Sequence, residues 1–306
     1  MAQAPFTCML ASPSKRIAST PEKALVLFDR KGWVAEPKWD GIRGLIVVRD
    51  GGIQIINRNG TDITYRYPDL GHLKSLPAGT VLDGEIVVLG ENGMPDWPAA
   101  HLRDAQGSPR AARQLAELSP ATFMSFDVLH TDEDVRPLPY WRRRELLVAL
   151  GQAHGNLVVT LNGEGPAMWD TVTARKLEGM VAKHVDSNYT GARSTKWIKF
   201  KQVSTLTALV TGWRKGQGSR TSTIGSLELA LWNPDTRAIT PIGTVGTGFT
   251  DAELLRLAEL LKTGTTVLVD VRYLDISPDG QLRQPVYVAQ RTDLSPLQAS
   301  TDQLKH

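Results

Sequence analysis

The stretch "WVAEPKWDGIRGLIVV" sets a primary amine, a carboxylate and a guanidinium, Lys38-x-Asp40-Gly41-x-Arg43, at the entry to an apolar, β-branched run. Two readings are open at this point: a solvated strand edge with a glycine turn, or a loop built to bind something. Three further charged stretches interrupt apolar strands, where charge is costly unless it is wet or used. "VLDGEIVV" carries Asp83 and Glu85, and "RKLEGMVAKH" carries Glu178 and Lys183. In "KWIKFKQ", Lys199 and Lys201 alternate with Ile198 and Phe200, so both amines leave one face of a strand roughly 7 Å apart. Arg58 in "INRNG" ends a hairpin. Taken singly, each is a solvated strand face. Taken together, they offer cations for phosphate oxygens and carboxylates for Mg2+ and ribose hydroxyls, the composition that suits a nucleoside triphosphate with its metal.

These side chains need a sheet to hold them. "GLIVVRDGGIQIINRNG" reads as a hairpin about Asp50-Gly51-Gly52, and "TVLDGEIVVLGENG" as a strand closed by Glu91-Asn92-Gly93. "ATFMSFDVLH" is another strand. A helix with apolar residues at helical spacing follows from about Trp141 to His154. "PAMWDTVTARKL" is a shorter helix, and "EGMVAKH" and "TKWIKFKQ" are strands. From "TLTALVTGWRKGQGSR" onward the texture changes to short strands with Gly and Thr turns and one helix, "TDAELLRLAELLK". That pattern suggests a small β-barrel of the OB type. The expected organisation is α+β: residues 1–202 form antiparallel sheets flanked by helices, and residues 203–306 form the barrel.

Composition narrows the class. With 41% hydrophobic and 22% charged residues in 306, the chain has the make-up of a soluble globular protein. A single cysteine, Cys8, excludes an internal disulfide or a Cys-based zinc cluster and fits a reducing compartment. No apolar run approaches the roughly 20 residues of a membrane span. "MAQAPFTCMLASPSKR" lacks a secretory layout, so a cytoplasmic protein is expected. A net charge of +3 is too small to name a nucleic-acid partner, so such binding would rest on local clusters. Two are candidates: Arg142, Arg143 and Arg144, and Arg214, Lys215 and Arg220. A solvated first helical turn is the other reading of the triplet.

The order of the charged stretches resembles the successive motifs of the covalent nucleotidyltransferases. They run Lys38-x-Asp40-Gly41-x-Arg43, Arg58-Asn59-Gly60, Asp83-Gly84-Glu85, Phe126-Asp127, Glu178-Gly179-x-Val181-x-Lys183 and Trp197-x-Lys199-x-Lys201. Within that superfamily the chain is similar to ATP-dependent DNA ligases of the compact bacterial type, from about Pro5 to about Pro296.

The resemblance implies that Lys38 attacks the α-phosphate of ATP, expels pyrophosphate and becomes lysyl-AMP. A lysine does this as a free amine, which a reference pKa of about 10.4 makes scarce at pH 7. Lys199, Lys201 and bound Mg2+ are the neighbours expected to help. By the same resemblance Glu36 contacts the adenine amino group and Phe126 stacks on the base. Arg43, Arg58 and Glu85 bind ribose, phosphate or the nick, and Lys199 and Lys201 hold the α-phosphate with Lys183 assisting. Glu178 is the metal carboxylate, with Glu85 as a second, and Mn2+ is able to replace Mg2+. Standing at the entrance of an apolar strand, Glu178 is expected to matter little to the fold. Asp40 is expected to brace the loop.

The family's last motif ends Arg-x-Asp-Lys and orients pyrophosphate. Here it reads Arg291-Thr292-Asp293-Leu294, with leucine in place of lysine, so Arg291 is the ATP contact to watch. Arg43, Arg214, Lys215 and Arg220 are the expected DNA contacts. The implied substrate is nicked double-stranded DNA in repair, replication or recombination. The enzyme is expected to be monomeric and nucleoid-associated, with an end-binding protein or repair polymerase as a possible partner and no membrane.

Neighbouring families fit less well. Capping-type guanylyltransferases tend to carry Asp-Gly where Glu178-Gly179 stands, and a terminal barrel with Arg291-x-Asp293 counts against most RNA ligases. NAD-dependent ligases need a domain ahead of the lysine, so ATP is expected. A non-catalytic nucleic-acid-binding module would leave Lys38, Glu178 and the strand lysines without a joint purpose.

Overall fold

The apolar runs of the first 202 residues become strands β1 (Leu10–Pro13), β2 (Trp33–Pro37), β3 (Ile42–Arg49), β4 (Gly52–Asn57), β5 (Val81–Val88), β6 (Ala121–His130), β7 (Val158–Val159), β8 (Gly179–His184) and β9 (Arg193–Lys201). The computed structural model describes residues 6–14, 25–216, 223–277 and 279–304. The chain divides into two units, Met1–Gln202 and Val203–His306.

Two sheets form the first unit, one in the order β4-β3-β5-β6-β7 and the other in the order β1-β9-β8-β2. Both are mainly antiparallel. The expected antiparallel pairing gives way at two edges, where β1 runs parallel to β9 and β7 runs parallel to β6.

β3 is apolar without alternation because both its faces are covered. Leu45 and Val47 join a cluster with Met9, Phe126 and Trp197, which lies between the sheets. Ile46 and Val48 join another with Leu82, Phe123 and Leu147, the last from helix Tyr140–Ala153. β9 alternates instead. Trp197 turns toward the β3 sheet, while Ile198 and Phe200 pack with Met168 and Val172 of helix Gly165–Ala174. Helix, sheet, sheet and helix thus stack in layers, and the strand lysines face the space between the sheets.

The arginine triplet fits neither expected reading. Only Arg142 is an exposed first-turn residue, paired with Glu145 at 2.7 Å. Arg143 is 0% exposed and forks onto Asp127 of β6 at 2.8 and 2.9 Å. Its Nη1 also donates to the carbonyls of Leu138 and Ser187. It is an internal strut that ties the helix to the sheet.

In the second unit, β10 (Ser204–Lys215), β11 (Ile224–Asn233), β12 (Ala238–Val245), β13 (Val267–Tyr273) and β16 (Val286–Arg291) form an antiparallel sheet in the order β12-β11-β10-β13-β16. Two short strands, β14 (Asp275–Ile276) and β15 (Leu282–Arg283), pair separately. No pairing joins β12 to β16 among the described residues, so the sheet is open by its hydrogen bonds. Helix Asp251–Lys262 starts at a capping box, in which Thr250 and Glu253 satisfy one another's backbone donors. Its Leu254 and Leu257 cover Leu206, Leu229 and Val269 of the sheet. No helix among the described residues is long and apolar enough to cross a membrane.

Candidate active site

β2 ends at Pro37, which has no N–H to continue a ladder. The next residue, Lys38, donates its backbone N–H to the Gly179 carbonyl at 2.8 Å, tying it to the start of β8. Gly41 then crosses hard against β5, where a Cβ would lie 2.3 Å from the Ile86 carbonyl oxygen. Only glycine fits that crossing.

The Lys38 amine is hydrogen-bonded to Glu178 Oε2, and Lys201 Nζ binds Oε1 of the same carboxylate at 2.7 Å. Glu178 is 4% exposed. Burial alone would raise its carboxyl, but Lys38 and Lys201 outweigh that and hold it below the usual range. Its carboxylate thus lies between two amines whose side chains are each about a quarter exposed. Burial and the charges of Lys201, Lys38 and Arg193 together lower the Lys199 amine.

Glu36, Lys38, Arg43, Arg58, Glu85, Phe126, Lys183 and Lys199 line one cavity between the two sheets. Glu178 meets it through Lys38, and Lys201 is joined to it in turn through Glu178. Arg214, Lys215 and Arg291 belong to the second unit, and Arg220 lies outside the described residues. Arg214 pairs with Glu228 at 3.0 Å beside the exposed Lys215. Arg291, at the end of β16, pairs with Asp270 at 3.1 Å and Asp293 at 2.7 Å. Leu294 packs against Leu209, Leu268 and Ala299, so the leucine in the final motif serves a core.

Several of these side chains are held from behind. Arg43 forks onto Asp83 at 2.6 and 2.7 Å and donates to the Met9 carbonyl at 3.1 Å. The Tyr189 hydroxyl donates to Asp83 at 2.6 Å and accepts from the Met9 N–H at 2.8 Å. Asp83 is therefore a brace rather than a substrate group. Phe126 has Arg43 over its ring at 4.5 Å and Lys183 at 4.7 Å from the centroid. Lys183 binds Glu36 at 2.7 Å and the Phe126 carbonyl at 3.0 Å. Its burial lowers the amine against the pull of Glu36.

Several participants escaped sequence reasoning. Leu10, Ala11 and Arg193 also line the cavity. Arg193 reaches it because β9 lies beside β1, where its Nη1 donates to the Ala11 carbonyl at 2.7 Å. A parallel pairing across so long a separation leaves no local mark. Tyr140, behind Glu36, did leave one: Tyr140, Arg143 and Leu147 fall at helical spacing on one inward stripe.

Burial pushes the Glu85 carboxyl from 4.5 up to about 7; Arg43 and Lys38 pull it down, and Glu178 and Asp83 add to the rise. The folded state therefore holds this proton more tightly than the unfolded chain. The stabilisation is full below about pH 4.5 and is lost as the pH rises through about 7. Glu85→Gln is expected to flatten the fall in melting temperature of the metal-free protein between these values. A slope identical in variant and parent would show that Glu85 is not the titrating group.

Among the described residues, no group of three or more His, Cys, Asp or Glu side chains could hold a metal ion. Mg2+ needs only one or two carboxylates beside phosphate oxygens and water. Glu85 lines the cavity and Glu178 is bonded to Lys38, which lines it too, so two carboxylates stand at the site. The donors fit Mg2+ in that mode.

The chain matches the family model described as ATP dependent DNA ligase domain over residues 8–201. It is 35% identical over 303 residues to the multifunctional non-homologous end joining protein LigD of Mycolicibacterium smegmatis, covering 90% of this chain and 38% of that protein. Among solved structures, the ligase domain of M. tuberculosis LigD aligns with a TM-score of 0.55 at 28% identity, covering 96% of this chain and 97% of that one. A mycobacterial DNA ligase D complexed with ATP and MES gives 0.54 at 27% identity, covering the same shares. Lys38 on its loop, the carboxylates beside it and the match across this unit lead to one assignment: the chain belongs to the family of ATP-dependent DNA ligases.

Proposed function

We propose that this ligase seals nicks in double-stranded DNA, joining a 3′-hydroxyl to a 5′-phosphate through lysyl-AMP and adenylated DNA. One observation carries the reading: Lys38 lines a cavity that also gathers Arg43, Glu85, Phe126, Lys183 and Lys199. Lys38 Nζ attacks the α-phosphorus of ATP, an N–P bond forms, and pyrophosphate leaves. A DNA 5′-phosphate oxygen then takes the AMP and frees Lys38. Finally the 3′-hydroxyl displaces AMP and closes the strand. Lys199 and Lys201 hold the α-phosphate oxygens, and Arg43 and Arg58 hold ribose, phosphate or the nick. Glu36 accepts from the adenine amino group while Phe126 packs on the base. Glu178 and Glu85 would hold Mg2+, which when bound would supply charge neutralisation for the leaving pyrophosphate.

Residues 1–202 serve in this reading as the adenylation domain and residues 203–306 as an OB-fold. The sheet order supports it: third strand, second, first, fourth, fifth, with a helix between third and fourth. Arg214, Lys215 and Arg220 of that domain contact DNA phosphates. The name of the mycolicibacterial relative points to end-joining repair. The enzyme then works in the cytoplasm at the nucleoid, as a monomer, recruited by an end-binding protein or repair polymerase.

The test is direct. With Mg2+ and α-labelled ATP, GTP or NAD, label is expected on the protein from ATP alone, and nicked duplex then discharges it. No covalent label from ATP would overturn the reading.

A further expected result concerns Arg291. If it orients pyrophosphate, it acts only while pyrophosphate is present. Arg291→Ala is then expected to slow enzyme adenylation by the equivalent of about 2–4 kcal/mol, the size of one charge-assisted contact made in the transition state. Sealing of a pre-adenylated nick should keep its rate. Equal loss in both steps, or in neither, would reduce Arg291 to a clamp between Asp270 and Asp293.

A further inference from the structure

The Glu36 carboxylate is buried, lines the cavity, and has a donor on each oxygen. Lys183 Nζ binds Oε2 at 2.7 Å, and the Tyr140 hydroxyl donates to Oε1 at 2.5 Å. We propose that Tyr140 is a positioning residue for purine selection: with Lys183 it fixes the Glu36 carboxylate as an acceptor that takes an exocyclic amine and rejects a carbonyl. The inference rests on the adenylation reading above. An ionised carboxylate only accepts, and each oxygen keeps a lone pair beyond the one its donor uses. Adenine offers an amine to such a group, whereas guanine offers a carbonyl oxygen that like polarity disfavours.

Tyr140 is well placed to hold that geometry. It is buried at the start of its helix, and three residues on Arg143 anchors the same helix to Asp127. Asn162 donates to its hydroxyl at 3.4 Å from a segment tied to β2 by paired Ala35–Gly163 hydrogen bonds of 2.8 and 2.9 Å. Burial and then the Glu36 charge push the phenol well above its ordinary range, so it stays a donor.

Tyr140→Phe removes the donor and keeps the ring. The test compares kcat/KM for enzyme adenylation by ATP and by purine riboside 5′-triphosphate, which lacks the 6-amino group, with GTP alongside. The preference for ATP over the amine-free analogue is expected to fall about tenfold in the variant, through a higher KM for ATP. Because both nucleotides meet the same enzyme sample, a partly folded variant still yields a valid ratio. An unchanged ratio, or equal loss on both nucleotides, would leave Tyr140 a structural residue and overturn the proposal. Parent protein that takes no label from ATP would bring down the adenylation reading itself, a separate outcome.

Discussion

Lys38→Ala is expected to take up no AMP from α-labelled ATP, at any concentration of Mg2+ or enzyme. Alanine offers no nucleophile. Lys199 and Lys201 leave β9 rather than the β2–β3 loop, and Lys201 is paired with Glu178. Lys183 is buried between Glu36 and three aromatic rings. The variant should melt close to the parent, since the amine is about a quarter exposed and its loss still leaves Glu178 paired with Lys201. Mass spectrometry of the intact protein reads the outcome, and an added AMP on the variant would move the nucleophile elsewhere.

Glu178→Ala is expected to do two things at once. It removes the carboxylate between Lys38 and Lys201, leaving two amines to repel in a poorly hydrated site. Breaking a buried pair by removing one partner costs about 3–5 kcal/mol, and the partly exposed lysines bring the figure here to about 2 kcal/mol. Adenylation should fall by a factor of a hundred or more. Adding Lys201→Met to Glu178→Ala separates the two effects. The melting temperature should recover in part because one stranded charge is gone, while labelling stays lost. Full recovery of labelling in the double variant would make Glu178 a purely structural counter-ion.

What the sequence disclosed followed from local physics. Gly51 adopts the positive φ of +80° that the tight turn between β3 and β4 needs, and Asp-Gly-Gly announces such a turn. Lys199 and Lys201 were conspicuous because strand periodicity sets them apart from Ile198 and Phe200. Charge inside apolar strands drew notice to Glu178 and Lys38 as well, although nothing local says that the two touch across a separation of 140 residues. Tyr140 was missed, and Arg143 taken for a nucleic-acid or solvent contact, for the opposite reason. A polar side chain on an inward helical stripe reads as solvated until its partners, here Asp127 and Glu36, are known. The short helices Trp97–Asp104 and Pro109–Leu118 likewise passed unnoticed, each being only two or three turns long.

The parallel pairing of β1 with β9 sets an order on biosynthesis. Leu10 meets Arg193 and Pro13 meets Lys199, so an early segment waits beside the ribosome until most of the first unit has emerged. Local hairpins such as β3–β4 can form at once, but the β1-β9-β8-β2 sheet is completed only after a long loop has been gathered in, which is slow by its entropy. Until then Leu10 and Ala11 do not stand against the cavity and Arg193 lacks its Ala11 carbonyl. Competence to bind nucleotide should therefore appear abruptly, once the strand that begins at Arg193 has emerged. Chains arrested short of residue 193 should already hold their hairpins yet remain open to proteases between the sheets.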